Sequence, residues 1–446
     1  MSAKYPCRRP PPNQRCFRSE AGEALIDQTV ARIDDPELAW MFSNCFPNTL
    51  DTTVDVSRDT EGRSDTFIIT GDIDAMWLRD STNQVWPYLP LMEHDPALRE
   101  LVEGLVRRQA TCIHIDPYAN AFYKDLTRQS KWASDLTEMR PGVHERKYEL
   151  DSLCAFLRLS AELHRHCPDT GVFDAHWQEA LRRVVDTLRR EQAGHDEGPP
   201  AYTFQRRDKK PSETLQDGAG FPLRRCGMSR SPFRPSDDAT TFGFLVPANA
   251  RAVVTLRAVA TLPAAAFLAG EMNGLANEID RAIQRHGVVE HPKFGRVFAY
   301  EVDGRGSVLF MDDANVPSLL SLPYLGYVDA DDPVYQNTRR LVLGEGNPYF
   351  SEGTAARGIG GPHVGPGWIW PMSLMVQGLT ATDPHEIHGL VQTLKRTHAG
   401  TGFMHESFWK DDPARFTRPW FAWANTLFGE LVLHWVETSL PSRASV

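Results

Sequence analysis

The chain has 446 residues, 41% hydrophobic and 24% charged, which is ordinary for a soluble globular protein with a large core. Lys plus Arg number 48 against 58 Asp plus Glu. The formal charge of -10 argues against nucleic acid or an anionic membrane as partner and is compatible with a neutral substrate. The seven cysteines (Cys7, Cys16, Cys45, Cys112, Cys154, Cys167, Cys226) are odd in number, scattered and without a CxxC pair, which disfavours a disulfide framework or zinc site. No secretory signal or membrane span is visible, so the expectation is a cytoplasmic protein with reduced thiols.

Residues 1–17, with Pro10, Pro11 and Pro12 in a row, read as a loose tail. Helical pattern runs from Ser19 to about Ile33 and from Pro36 to Phe46, and short β-like pieces lie at Thr52–Val54 and Thr66–Ile69. Nothing from Asp74 to Trp86 breaks a helix, yet no clean apolar stripe emerges there. Asp80 falls between Met76 and Trp77, and Arg79 lies beside Asn83. Such interleaving of charge and aromatic area fits a half-buried wall that holds something polar. The plainer alternative is a core helix with an internal Arg–Asp pair.

A helix follows from Asp95-Pro96, then a turn-rich loop from Ile115 to Ala121, and further helices over Lys147–His166 and Val172–Glu191. Gln192 to Pro235 is a long, weakly patterned stretch carrying Arg206, Arg207, Lys209, Lys210, Arg224, Arg225 and Arg230, read as a solvated loop or rim. Helices are expected again over Pro247–Val259, Pro263–His286, Ala314–Leu322, Pro333–Leu343, Gly367–Leu379, Pro384–His398 and Trp420–Glu437. A hairpin is expected over Arg296–Phe310, turning at Asp303-Gly304. About a dozen helices with little strand point to an all-α fold, a single toroid of helical hairpins over residues 18–446. A two-domain all-α chain is the alternative.

Four clusters fall outside core pattern. Arg234-Pro235-Ser236-Asp237-Asp238 places two carboxylates where a helix would begin, so plain N-capping competes with chemistry. Met311-Asp312-Asp313-Ala314 repeats the Asp-Asp-Ala signature, which raises an isoprenoid enzyme with magnesium diphosphate. Thr241 and Val316 stand where the third Asp of each metal-binding segment would be. Gly358 to Trp370 presents His363 with Trp368 and Trp370, a set suited to stacking on a sugar ring. Met404-His405-Glu406 sets an acid among apolar neighbours, and no HExxH zinc motif is present. Acids at loop–helix junctions among Trp and Arg fit glycoside hydrolysis, with one carboxylic acid protonating the leaving oxygen and a second carboxylate activating water or attacking.

The chain resembles glycoside hydrolase family 125, the metal-independent exo-α-1,6-mannosidases. The likeness rests on Asn48-Thr49-Leu50-Asp51-Thr52-Thr53-Val54, Ala75-Met76-Trp77-Leu78-Arg79-Asp80-Ser81-Thr82, Glu145-Arg146-Lys147-Tyr148-Glu149, Phe233 to Ala239, Phe310 to Leu322, Gly358 to His363, Gly400 to Glu406 and Phe416-Thr417-Arg418. The resemblance implies an (α/α)6 barrel, no cofactor or metal, and inverting release of terminal α-1,6-linked mannose from mannosides. It implies Asp237 as general acid and Glu406 as general base, with Trp77, Arg79, Asp80, Asp313 and His363 gripping the mannose. Inversion calls for roughly 6.5–9.5 Å between the two carboxyls. Asp237 is expected to be protonated, its pKa raised by burial or by Asp238, and Glu406 to be ionised. A catalytically silent mannoside-binding protein on the same scaffold is the alternative. The chain departs from the family pattern at Arg230-Ser231-Pro232 and Gly360-Gly361-Pro362-His363-Val364, in loops expected to border the leaving-group side.

Overall fold

Four Asp-Pro pairs show how the sequence starts its helices. Asp35, Asp95, Asp332 and Asp383 each accept backbone N–H bonds at a helix N-terminus, and the following proline loses nothing there because its position has no partner to donate to. In the computed structural model the helices are α1 (Glu20–Arg32), α2 (Pro36–Cys45), α3 (Asn48–Thr52), α4 (Leu78–Val85), α5 (Pro96–Ile115), α6 (Leu150–His166) and α7 (Ala175–Arg190). They continue as α8 (Val246–Val259), α9 (Ala269–Ala282), α10 (Pro333–Val342), α11 (Pro371–Leu379), α12 (Pro384–Thr397) and α13 (Ala422–Ser439). The structure describes residues 4–207 and 210–439. Residues 1–3 of the expected tail, Lys209 of the basic run and residues 440–446 of the expected domain lie outside the described residues.

Packing follows the apolar stripes. On α7, Trp177, Ala180, Leu181, Val184, Val185 and Leu188 recur at helical spacing and are all buried. Each large side chain so buried contributes about 1.5–3 kcal/mol. Helix α4 packs on α6, α6 on α8, α8 on α9, α5 on α7, α11 on α12 and α13, and α13 back on α4. No helix among the described residues is long and apolar enough to cross a membrane.

Three expectations are corrected. The helical reading with short β-like loop elements holds in part, but strand is more frequent than expected: among the described residues six antiparallel sheets of two or three short strands occur. Met76–Trp77 pairs with Ala121–Phe122, which pairs with Val143–Glu145, and Trp368–Ile369 pairs with Ser407–Trp409, which pairs with Asp412–Thr417. Strands of two or three residues carry no periodicity to detect, because their register is set by loops meeting in space. Second, Ala314–Leu322 forms turns rather than a helix. Asp312 takes the N–H groups of Leu319 (2.8 Å) and Leu320 (2.9 Å), and the Ser321 hydroxyl takes the N–H of Ser318, so side chains satisfy the backbone that a helix would have used. Third, residues 4–17 are not loose. Arg9 pairs with Asp51 (2.7 Å) and Glu23, Pro6 accepts from the Trp40 indole (2.7 Å), and Cys16 and Phe17 donate to the backbone of Asp51 and Leu50.

Helix α4 begins four residues later than its pattern suggests, because Met76 and Trp77 are drawn into the sheet beside Ala121–Phe122. All eight of its residues are buried, six of them polar or charged. Burial of that kind is sustained only by internal partners. Gln109 supplies its amide to Leu78 O, Ser81 and Thr82, Gln84 donates to Ile69 O, and Arg158 donates to Asn83.

Candidate active site

A cavity open to solvent lies where these loops converge. Trp77, Arg79, Asp80, Asp237, His363 and Glu406 all line it, with Trp370, Phe421 and Trp423 as aromatic walls.

Asp237 sits on a tight turn rather than at a helix start. Its N–H donates to Arg234 O (2.9 Å), the Arg234 N–H donates to Asp238 O (2.8 Å), and the backbone at Asp237 is left-handed with φ 64°. Asp tolerates that region better than most residues, and what strain remains is held from outside. Arg234 is buried against Glu301 (2.6 Å), whose other oxygen accepts the N–H groups of Thr241 and Phe242. Ser236 donates to Asp313 (2.7 Å). The turn aims the Asp237 carboxyl at a cluster of donors: Oδ1 accepts from Trp77 Nε1 (3.3 Å) and Asn120 Nδ2 (3.2 Å), and Arg79 Nη2 lies 3.5 Å away.

Arg79 is the hub. Its buried guanidinium faces Asp80 (3.3 Å), Glu149 in direct contact, Asp151 (3.5 Å) and Asp237. One cation cannot keep four carboxylates ionised in so dry a place. Burial pushes Asp80 up to about 6 against the pull of Arg79, and burial likewise raises Asp151. Burial, with the charges of Asp237 and Asp151, drives Glu149 well above the carboxylate range despite Arg79. For Asp237 burial also acts upward, but a hydrogen bond from Glu149 and the charges of Arg79, Lys147 and His363 outweigh it and hold this carboxyl well below the usual range. The expectation of a protonated Asp237 beside Asp238 is thus corrected for the ligand-free site. The carboxyl that shares the Asn120 amide with Asp237 is Glu149. Asp238 faces His363 (3.8 Å) and Ser236 (3.4 Å) instead.

Glu406 enters the cavity from the residue before the Ser407–Trp409 strand, and Met404 is tied by its carbonyl to the N–H of Phe421. Arg418 Nη1 donates to Glu406 Oε1 (3.2 Å), while its other nitrogen reaches Asp72 and Thr70 O. His405 stacks on Phe416 at 3.9 Å and is not among the residues lining the cavity.

Comparison with known proteins bears on this geometry. Residues 35–433 match the family model described as metal-independent alpha-mannosidase (GH125). The chain belongs to that family. It is a glycoside hydrolase. It is 45% identical over 455 residues to the meiotically up-regulated gene 157 protein of Schizosaccharomyces pombe, covering 97% of this chain and 89% of that one. A solved metal-independent alpha-mannosidase of Streptococcus pneumoniae, in a non-productive complex with alpha-1,6-mannobiose, superposes with a TM-score of 0.90 at 40% identity, covering 95% of this chain and all of that one. A bacterial glucoamylase complexed with acarbose aligns at 13% identity and a TM-score of 0.52, over 89% of this chain and 55% of that one, a likeness of fold alone.

Within this family member, Asp313 differs from its expected place. It is buried and does not line the cavity, but stands behind it, holding Ser236 and the backbone and side chain of Asn315 (3.0 and 3.1 Å), and Asn315 does reach the wall. Gly361 passes so close that a Cβ would sit 3.1 Å from Asp313 Oδ2, which is what brings the His363 loop over the site. Trp370 lines the cavity as expected of the tryptophan pair, whereas Trp368 packs on Trp409 at 5.8 Å. Arg230 does not line the cavity: it is buried against Glu191 (2.8 Å) and braces the long loop through Tyr202 O and Ala219 O. Sequence reasoning missed Asn120, Glu149 and Arg418 as parts of the site. All three stand in strings that carry the family resemblance, Asn120 within the turn-rich loop from Ile115 to Phe122. Glu149 precedes a helix and so reads as ordinary N-terminal chemistry.

His363 yields a stability prediction. Burial works to lower it, but the hydrogen bond and charge of Asp238, with Glu406 and Asp237, prevail and raise it to about 9. A folded-state value above the unfolded one of about 6.5 means stabilisation present in full below 6.5 and lost as pH climbs through 9. The Tm advantage of wild type over His363→Gln is therefore expected to shrink steadily between about pH 6.5 and 9.5; an advantage independent of pH refutes the ion pair.

Proposed function

We propose that this protein is an exo-acting α-1,6-mannosidase that works with inversion, on a single (α/α)6 barrel domain. The observation that carries the reading is the convergence of Asp237 and Glu406, from distant loops, on one small cavity walled by Trp77, Trp370, Phe421 and Trp423. The Streptococcus pneumoniae relative, similar across nearly the whole chain, holds alpha-1,6-mannobiose. The barrel is supported by the neighbour relations of α4, α6 and α8 and by the return of α13 onto α4, with α5, α7, α9 and α12 as outer partners.

In this reading the terminal mannose lies against the indoles, with Arg79, Asp80 and His363 bonding its hydroxyls. Asp237 protonates the glycosidic oxygen as the C1–O bond breaks, and Glu406, oriented by Arg418, takes a proton from the water attacking C1 from the opposite face. Proton NMR of an α-1,6-mannobiose digest tests the mechanism: β-mannose is expected as the first-formed anomer, and α-mannose appearing first rejects inversion.

A further inference from the structure

Strand register brings Glu406 and Arg418 together. Ser407 pairs with Thr417, their hydroxyls share a hydrogen bond of 2.6 Å, and Glu406 and Arg418 flank that pair at the cavity. The backbone at Arg418 is left-handed, φ 42°, a region uncommon for a residue with a Cβ and kept only where the surroundings hold it. The Arg418 guanidinium lies 4.7 Å from the Phe421 ring centroid, and its nitrogens divide their partners. Nη1 donates to Glu406 Oε1 (3.2 Å), while Nη2 donates to Asp72 Oδ1 and, at 3.4 Å, to Thr70 O. Asp72 belongs to the loop before Met76–Trp77, far from Arg418 in the chain. That loop is seated on the segment after Arg418: Gly71 takes φ 121°, and a Cβ there would meet the Trp420 indole at 3.1 Å.

Left to itself, a guanidinium grips a carboxylate through two parallel N–H···O bonds. Such a grip would put a donor on each oxygen of Glu406, including the one that has to take a proton from water. With Nη2 engaged by Asp72, Arg418 bonds Oε1 and leaves Oε2 for the water.

We propose that Asp72 is a positioning residue for the base: by holding Arg418 Nη2 it keeps Arg418 on one oxygen of Glu406 and the other open to the attacking water. The inference rests on Glu406 being the general base. Asp72 and Arg418 exchange no proton in the reaction.

The experiment measures kcat and KM on α-1,6-mannobiose and on a mannoside of a strongly acidic phenol. Asp72→Ala is expected to lower kcat about tenfold, alike on both substrates, with KM within about twofold of wild type. Asp72→Asn, whose amide oxygen still accepts from Nη2, should hold kcat within about threefold of wild type. Asp74 stands in the same loop and pairs with Arg128 (2.6 Å), so Asp74→Ala should leave kcat unchanged. In an Arg418→Ala background, Asp72→Ala should cost nothing further, because residues acting through one partner are not additive. Wild-type kcat in Asp72→Ala, an equal loss in Asp74→Ala, a loss confined to the disaccharide, or full additivity with Arg418→Ala overturns the proposal. Asp72 is half-exposed, so the fold should tolerate its loss; should Asp72→Ala not fold, Asp72→Ser, one atom short of Nη2, takes its place. If Glu406→Gln kept wild-type turnover, the base assignment itself would fall. An inactive Glu406→Gln beside a fully active Asp72→Ala removes only the part given to Asp72.

Discussion

Asp237→Asn is expected to lower kcat on α-1,6-mannobiose by about a thousandfold, some 4 kcal/mol of transition-state stabilisation, while Tm stays close to wild type. The fold should tolerate the change for reasons visible in the turn. Asn is among the few residues at ease with the left-handed backbone that position 237 adopts. Its amide oxygen can accept from Trp77 and Asn120 as the carboxylate does, and its NH2 can face Glu149. What is lost is a transferable proton. The defect should therefore shrink strongly when the leaving group is an acidic phenol that departs without protonation. Steady-state rates on the two substrates, with circular dichroism as control, make the test, and a loss of equal size on both denies Asp237 the role of acid.

Glu406→Gln should cost about as much, near a thousandfold, with the opposite leaving-group pattern. In a single displacement the base acts on the attacking water whatever departs, so disaccharide and phenol substrate should suffer alike. The substituted amide retains an oxygen for Arg418, so the side chain stays where the Glu406 carboxylate was and lacks only its charge. KM is expected to change little, because the base acts on water and not on the sugar. A variant with more than about a tenth of wild-type turnover on both substrates would remove Glu406 from the mechanism.

The sequence was informative where chemistry is local. Trp77, Arg79, Asp80 and His363, marked out by charge among aromatics, do line one cavity together with Asp237 and Glu406. Helices with a strong apolar stripe and an Asp-Pro start, such as α5 and α12, lie within a residue or two of their expected bounds. The pattern failed where side chains compete with the backbone. Asp312 turns Ala314–Leu322 away from helix by capping it internally, and two-residue strand pairing moves the start of α4 to Leu78.

What the sequence determined by itself is the helical frame, the family and the small set of acids and aromatics from which the site is made, because apolar period, helix caps and motif strings are properties of neighbouring residues. Only the tertiary structure decided which carboxyl stands beside which. Asp238, adjacent in the chain, turns toward His363, while Glu149, far along the chain and on another element, meets Asp237 over the shared amide of Asn120. The state of a buried acid depends on distance and desolvation in three dimensions, and those are set by the packing of α4 against α6 and of the loops that precede them.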